Sequence, residues 1–187
     1  MDRHICPVWM GYFLASGLRK FLQNPATLVG PYVRPGMTVL DFGCAMGFFS
    51  LPLAEAVGPK GKVVCVDVQP RMFRVLQRRA ARAGLADRIE THACREDSIA
   101  LDGQANRFDF ALAFAVLHEV VDPGRILGEL AQLVKPDAHL LLAEPAGHIK
   151  RDTFADSVAM AREHGFVPSE TPSIHWAHAS LLTRTTS

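Results

Sequence analysis

The sequence predicts an α/β fold: a doubly wound, mostly parallel sheet of seven strands that ends in an antiparallel C-terminal hairpin. Short apolar segments alternate with segments of helical periodicity, which is typical of a parallel sheet covered by helices. A turn of small residues follows the first apolar segment, at residues 43–47. Two apolar segments near the C-terminus are joined by only a short turn around His175 and Trp176, which predicts the hairpin.

The length of 187 residues suits one domain with a proper core and is too short for two domains of ordinary size. The 20 Lys and Arg against 19 Asp and Glu leave a formal charge of +1, so the charge favours neither a nucleic acid nor an anionic membrane as partner. The four cysteines have irregular spacing without a CxxC pair. We therefore expect free thiols and a cytoplasmic protein.

The N-terminal segment is expected to be part of the mature protein. Ile5 to Leu18 carries no charged side chain, but Pro7 and Gly11 interrupt the apolar run. The run is also too short to cross a bilayer, so we expect no membrane span. A helix is predicted from about Pro7 to Leu22, and Pro35-Gly36 marks the turn into the sheet.

In the first half of the sheet, strands and helices follow from apolar runs and from proline and glycine at their ends. The helix after the glycine turn carries Pro52 in its first turn, where proline is tolerated. The next helix has apolar residues on one side and stops at Gly84, and its five arginines are expected to form a solvated surface. The predicted elements are the strand Thr38–Phe42, a helix from about Phe48 to Gly58, the strand Lys62–Asp67, the helix Pro70–Ala83 and the strand Arg88–Cys94.

In the second half, the predicted strands alternate with two more helices before the hairpin. Asp122-Pro123 is a helix-start signal, and leucines and isoleucine repeat at helical spacing up to Val134, ahead of Pro136. The predicted elements are the strand Phe108–Ala115, the helix from Asp122, the strand Ala138–Ala143, a helix from Asp152 to near Gly165, and the closing strands Phe166–Ser173 and Ala177–Thr183.

The first turn and the end of the second strand together predict a site for an adenosine-containing cofactor. Gly43, Ala45 and Gly47 leave room for a ligand to approach bare backbone. Asp67 comes twenty residues after Gly47, at the end of the next apolar run. A carboxylate at that place is well set to accept hydrogen bonds from two ribose hydroxyls.

Four sequence blocks in the right order make the chain similar to the Rossmann-like, class I S-adenosylmethionine-dependent methyltransferases. The blocks are residues 39–47 (VLDFGCAMG), Val66-Asp67, Phe108-Asp109 with residues 116–120 (VLHEV), and residues 142–145 (LAEP). The resemblance covers almost everything from Pro35 onward. It implies a methyltransferase that uses S-adenosyl-L-methionine, with residues 1–34 as an N-terminal helical lid and residues 35–187 as the cofactor-binding domain.

The resemblance also implies roles for single residues. The methionine part of the cofactor would be lined by the first turn, with Asp41 near its amino group, and Asp67 would hold the ribose. Tyr12, in the lid, could touch the methionine end. The full set implied to bind the cofactor is Tyr12, Asp41, Gly43, Cys44, Ala45, Gly47, Asp67, Val68, Met72, Cys94, Arg95, Glu96 and Phe114.

Two residues depart from the family's pattern. Ala45 stands where the family often has glycine, and its methyl group argues for a slightly different backbone path. Cys94 stands where an aspartate often receives the adenine amino group, which leaves that contact to the backbone or to Glu96.

Residues just past the carboxyl ends of the strands are the candidates for chemistry, because ligands of open parallel sheets bind there. His118 and Glu119 follow the fourth strand and are the predicted catalytic residues. Histidine titrates near neutral pH, so His118 is the best candidate for a general base, although it could instead brace the turn before Asp122. For His148, His175 and His178 we expect exposed loop histidines. Cys6, Cys44 and nearby histidines could bind a soft metal or metalloid. They lack the spacing of a standard zinc site, so no metal is predicted.

The leading hypothesis is a methyltransferase that acts on a small-molecule acceptor, as a monomer or homodimer. The alternative is a non-catalytic S-adenosylmethionine-binding subunit or sensor, since the family has no obligatory catalytic residue. A nucleotide-dependent oxidoreductase ranks lowest, because GxGxxG and a substrate domain are missing.

Overall fold

A computed structural model describes residues 24–185 of the chain. The helix predicted over residues 7–22 lies outside them. Seven strands form one sheet in the order β3-β2-β1-β4-β5-β7-β6, and the chain divides into two compact units, one up to Ala93 and one from Cys94. This sheet, with its antiparallel C-terminal pair, confirms the predicted fold class.

The first unit contains three parallel strands and three α-helices among its described residues. Its strands are β1 (Thr38–Phe42), β2 (Lys62–Asp67) and β3 (Ile89–Ala93), and its helices are α1 (Pro25–Val29), α2 (Ser50–Ala56) and α3 (Pro70–Arg82). Asp41 is paired with Cys65 in the β1–β2 register, and Asp67 is paired with Ala93 in the β2–β3 register. Because the strands are parallel, the chain leaves all three at the same edge.

Helix α3 has one apolar face, which packs into the core of this unit. Met72, Phe73, Leu76 and Ala80 are buried on it. Full burial of a Met, Phe or Leu side chain stabilises a fold by about 1.5–3 kcal/mol, so this face is the main reason why the segment is helical. The helix begins with Pro70 at its first position, where the missing N–H has no partner to lose.

The second unit contains four strands and two α-helices among its described residues. Strands β4 (Phe108–Phe114) and β5 (Val134–Pro145) are parallel, and β7 (Ala177–Arg184) pairs antiparallel with both β5 and β6 (Phe166–Glu170). Helix α4 spans Pro123–Leu133 and α5 spans Arg151–Glu163. The Asp122 side chain caps α4 by accepting a 3.0 Å hydrogen bond from the Arg125 N–H, as its sequence position predicts.

Several predicted boundaries were wrong. Strand β5 begins at Val134, four residues earlier than predicted, because Val134 pairs with Phe108 and an irregular stretch follows, with Asp137 in the left-handed region (φ 61°). Helix α4 consequently ends at Leu133. Strand β6 ends at Glu170 rather than Ser173, and α2 begins at Ser50 rather than Phe48.

None of the helices within residues 24–185 is long and apolar enough to cross a membrane.

Candidate functional site

The turn after β1 is built from residues in the left-handed region of backbone space. Gly43, Ala45 and Gly47 have φ values of 76°, 45° and 82°. Glycine adopts this conformation freely, whereas in alanine it costs about 1–2 kcal/mol. Ala45 therefore keeps a backbone conformation that glycine would favour and carries local strain.

Asp67 holds this turn in place through its carboxylate. One oxygen, Oδ2, accepts a 2.9 Å hydrogen bond from the Ala45 N–H, and Oδ1 accepts a 2.8 Å bond from the Gln69 N–H. The side chain is 8% exposed, and burial raises its pKa while these two hydrogen bonds oppose the rise. A carboxylate has about four acceptor positions, so about two remain for a ligand.

Helix α3 approaches the same turn from the other side. A Cβ built on Gly47 would lie 2.2 Å from Leu76 Cδ1, so glycine is required there for the turn to contact the helix. One turn of helix further on, the Arg79 guanidinium donates a hydrogen bond to the Met46 carbonyl oxygen. Arg79 is half-buried, so the expectation that all five arginines of α3 face solvent was wrong for this one.

Asp41 lies in β1 directly below the turn and is 3% exposed. It accepts a 2.6 Å hydrogen bond from Ser50 Oγ at the start of α2. Burial raises the pKa of Asp41 to about 7, partly opposed by the Ser50 hydrogen bond and supported by the charge of Asp67. Near neutral pH this carboxyl is therefore partly protonated. None of the partners described for it is a cation that would stabilise its charged form.

Cys44, in the turn, and Cys65, in β2, are both buried and free. Burial raises the pKa of the Cys44 thiol well above its usual value, and the neighbouring Cys65, Asp41 and Asp67 raise it further. Because the thiolate is the reactive form, the Cys44 thiol has low reactivity in the folded protein.

The remaining predicted cofactor residues lie in both units or outside the described chain. Val68 is half-buried directly after Asp67, and Met72 is 2% exposed on the core face of α3. In the second unit, Cys94 is half-buried, Arg95 and Glu96 are exposed, and Phe114 ends β4 with 8% exposure. Tyr12 lies outside the described residues, and its role stays a prediction.

His118 is tied to Glu144 at the end of β5. Its Nδ1 lies 2.5 Å from Glu144 Oε2, and the other oxygen of Glu144, Oε1, accepts a 2.8 Å hydrogen bond from the Leu117 N–H. Glu119 Oε1 lies 3.9 Å from His118 Nε2. The two predicted catalytic residues are thus close together, and a second carboxylate, that of Glu144, orients the imidazole.

The environment of His118 favours its charged form. Burial alone would lower the pKa of His118, but the hydrogen bond and charge of Glu144, with the charge of Glu119, raise the pKa above its ordinary value. The side chain remains 19% exposed, whereas Glu144 is only 2% exposed. The imidazole is therefore held by a buried carboxylate while one side stays accessible.

The other histidines of this end of the unit differ in environment. His148 is exposed, and its ring centroid lies 5.1 Å from that of His118. His175 is exposed and stacks on Trp176, as expected for a loop histidine. His178 lies in β7 rather than in a loop, half-buried against Phe154, because it is paired with Glu144 across the strands. Within residues 24–185 no group of three or more His, Cys, Asp or Glu side chains could hold a metal ion.

Two residues of the site were not predicted from the sequence. Glu144 belongs to the LAEP block and directly follows the predicted fifth strand, but its bond to His118 was not predicted. A carboxylate that ends an apolar strand is the signal for it, because such a group must find a buried partner. Arg79 had no distinguishing signal among five arginines of one helix.

The chain is similar in sequence to known methyltransferases. A family of proteins described as "Methyltransferase domain" matches residues 34–174. Nocamycin O-methyltransferase of Saccharothrix syringae is 34% identical over 139 residues, which is 72% of this chain and 48% of that protein. The ubiquinone/menaquinone biosynthesis C-methyltransferase UbiE of Hahella chejuensis is 33% identical over 136 residues, 72% of this chain and 53% of that protein.

Among solved structures, a SAM-dependent methyltransferase from Aquifex aeolicus shares the fold, with a TM-score of 0.84 and 24% identity. The match covers 95% of this chain and 98% of that one. By contrast, the chain spans about half the length of these two curated relatives.

Replacing Gly47 by alanine is expected to destabilise the protein by about 2–4 kcal/mol, because the new Cβ meets Leu76 and the left-handed backbone disfavours it. Gly84 is a matched control: its φ is +68°, but a Cβ there would meet nothing within 4 Å. Gly84→Ala should cost only about 1–2 kcal/mol. Chemical denaturation measures both, and equal losses would show that Leu76 contact does not matter.

Asp41→Asn is expected to change the pH dependence of stability. The folded protein binds the Asp41 proton more tightly than the unfolded chain, so wild-type stability should fall as pH rises from about 4 towards about 7, by up to about 4 kcal/mol. Asp41→Asn should lack this loss, and Asp87→Asn, an exposed aspartate of the same unit, should retain it. Urea denaturation between pH 4 and pH 8 tests the difference; parallel curves for wild type and Asp41→Asn would refute a raised pKa.

Proposed function

The chain belongs to the class I S-adenosylmethionine-dependent methyltransferase family, and on this basis we propose that it transfers a methyl group from S-adenosyl-L-methionine to a small-molecule acceptor. The observation that carries the proposal is the buried Asp67 carboxylate bonded to the left-handed turn after β1. A carboxylate that can accept hydrogen bonds from hydroxyl groups thus lies beside the half-buried backbone of Ala45, which supports the proposal.

The residues of the first unit fit the cofactor in their chemistry. Asp67 would hold the ribose hydroxyls with the acceptor positions that Ala45 and Gln69 leave free. The turn from Gly43 to Gly47 would line the methionine part, and Asp41 would face its amino group when ionised. The cofactor, when bound, supplies a methyl group on a positively charged sulfur, which is an electrophile with a neutral leaving group.

For such a displacement, the main task of the protein is alignment. Correct orientation of two reactants is worth roughly 7–11 kcal/mol, and it needs no proton transfer. A base is needed only when the acceptor carries a proton at the working pH, and it would then add about 10²–10⁴ in rate.

His118 is suited to be that base. Glu144 accepts a hydrogen bond from Nδ1–H, so in the neutral imidazole the lone pair lies on Nε2, the nitrogen nearer to Glu119. After proton uptake, Glu144 and Glu119 would stabilise the imidazolium from both sides. This geometry favours an acceptor with a weakly acidic proton, such as a phenol or an enol.

A small acceptor is supported by several observations. The formal charge of +1 gives no electrostatic basis for nucleic acid, and the two relatives named above carry names of small-molecule methyltransferases. The free cysteines of the described chain agree with a reducing, cytoplasmic location. A monomer or a homodimer remains our proposal for the assembly.

Binding of S-adenosylhomocysteine is the first test, because it requires no knowledge of the acceptor. Calorimetry should give a dissociation constant well below 1 mM for the wild type. Asp67→Asn should weaken binding by about tenfold or more, since the amide nitrogen is a donor and would face one of the two N–H groups that the carboxylate now accepts from. Asp87→Asn is the control. The proposal would be wrong if S-adenosylhomocysteine did not bind at millimolar concentration, or if NAD competed for the same site and bound more tightly.

The role of His118 can be tested with tritiated S-adenosylmethionine and a panel of phenols and enols. We expect transfer to rise with pH through a midpoint above 6.5, because the pKa of His118 is raised and only neutral imidazole accepts a proton. His118→Gln should lower turnover by about 10²–10⁴ and leave cofactor binding unchanged.

Glu144→Gln should move the pH midpoint down, since it removes the charge that holds the His118 proton, and NMR titration of His118 should move with it. A normal rate in His118→Gln would leave His118 as a brace of its loop. Tight cofactor binding with no transfer to any acceptor would favour a binding subunit or sensor.

A further inference from the structure

Three consecutive residues of the turn after β1 (residues 43–47) are each held by the segment that runs from the end of β2 through α3. Asp67 accepts a hydrogen bond from the Ala45 N–H, and Arg79 donates one to the Met46 carbonyl oxygen. Leu76 packs against Gly47. Fixing the backbone of one residue costs about 1–2 kcal/mol in conformational entropy. Contacts at three successive residues meet this cost within the folded protein, so the turn is ordered before any ligand binds.

Arg79 differs from its neighbours on α3 in where its guanidinium lies. Arg71, Arg74, Arg78 and Arg82 are exposed, and Arg78 donates to the Arg74 carbonyl of its own helix, at 3.1 Å. Arg79 instead reaches across to a residue 33 positions earlier in the chain, and burial lowers its pKa. The hydrogen bond to the turn offsets the desolvation of the Arg79 guanidinium. The same bond holds the turn in position, which the exposed arginines of α3 do not do.

The Met46 carbonyl needs such a donor. Met46 is 1% exposed, and it lies between the left-handed residues Ala45 and Gly47, outside any helix or strand. A buried carbonyl without regular secondary structure must be satisfied by a side chain or by water. If the guanidinium were absent, the peptide that follows Met46 would keep only the 2.9 Å hydrogen bond from its Gly47 N–H to the Cys44 carbonyl, and Gly47 has the conformational freedom to let this peptide shift.

We propose that Arg79 is a positioning residue for cofactor binding: it fixes the backbone that lines the methionine part of S-adenosylmethionine without contacting the cofactor itself. The inference rests on the proposed function. The inference links Arg79 to the methionine half of the ligand, because the hydrogen bond of Arg79 is to the turn that would line this half. The ribose is the part proposed for Asp67.

The two halves of the ligand can be separated by comparing S-adenosylhomocysteine with 5′-methylthioadenosine, which keeps the adenosine and lacks the amino-acid end. Arg79→Ala should weaken S-adenosylhomocysteine binding about tenfold, since a charge-assisted hydrogen bond that orders its site is lost. The affinity for 5′-methylthioadenosine should stay within about twofold of wild type. Calorimetry on the full chain measures both.

Arg78→Ala, on the same helix, is the matched control and should change neither affinity. Arg79→Lys keeps the charge and one donor, so an intermediate loss of S-adenosylhomocysteine binding is expected, and it remains informative if Arg79→Ala does not fold. Unchanged S-adenosylhomocysteine binding in a folded Arg79 variant, or equal losses for both ligands, would overturn the inference alone. A wild-type protein that binds neither ligand would overturn the proposed function with it.

Discussion

The hydrogen bond from the Ala45 N–H to the Asp67 carboxylate is the interaction on which the first unit depends most. It joins residues 22 positions apart and connects the turn after β1 to the end of β2. A left-handed alanine is strained, and the strain persists only because the surroundings over-determine it. Asp67 supplies part of that determination, and Leu76 and Arg79 supply the rest. Local strain, packing of α3 and the proposed recognition of the ligand therefore depend on the same contacts.

The second unit repeats the same physical solution with a different acid. Glu144 is a carboxylate buried at the end of an apolar strand, and both of its oxygens are used, one by the Leu117 N–H and one by His118. A buried charge without such partners would destabilise the strand by several kcal/mol. The protein thus uses carboxylates at strand ends to fix the loops that follow neighbouring strands, and these are the loops in which the proposed binding and catalytic residues lie.

The alternation of apolar and amphipathic segments was enough to predict the sheet, its hairpin and the positions of Asp67 and His118. Local sequence determines those features, because burial of one face selects strand or helix. The start of β5 could not be predicted, since Pro136 suggested a break, whereas pairing of Val134 with Phe108 extends the strand past it. Likewise Arg79 and Glu144 take their roles from partners 33 and 26 residues away, and periodicity carries no information about such contacts.

The two buried free thiols, Cys44 in the turn after β1 and Cys65 in β2, have a consequence for how the molecule can be observed. Cys44 and Cys65 are buried, and the high pKa of Cys44 keeps it protonated, so an alkylating reagent can modify them only when the surrounding structure opens. Since Cys44 belongs to the turn itself, its rate of labelling is a direct measure of how often that turn separates from β2. The protein therefore carries a native probe of the local opening equilibrium at the place where its ligand is proposed to bind.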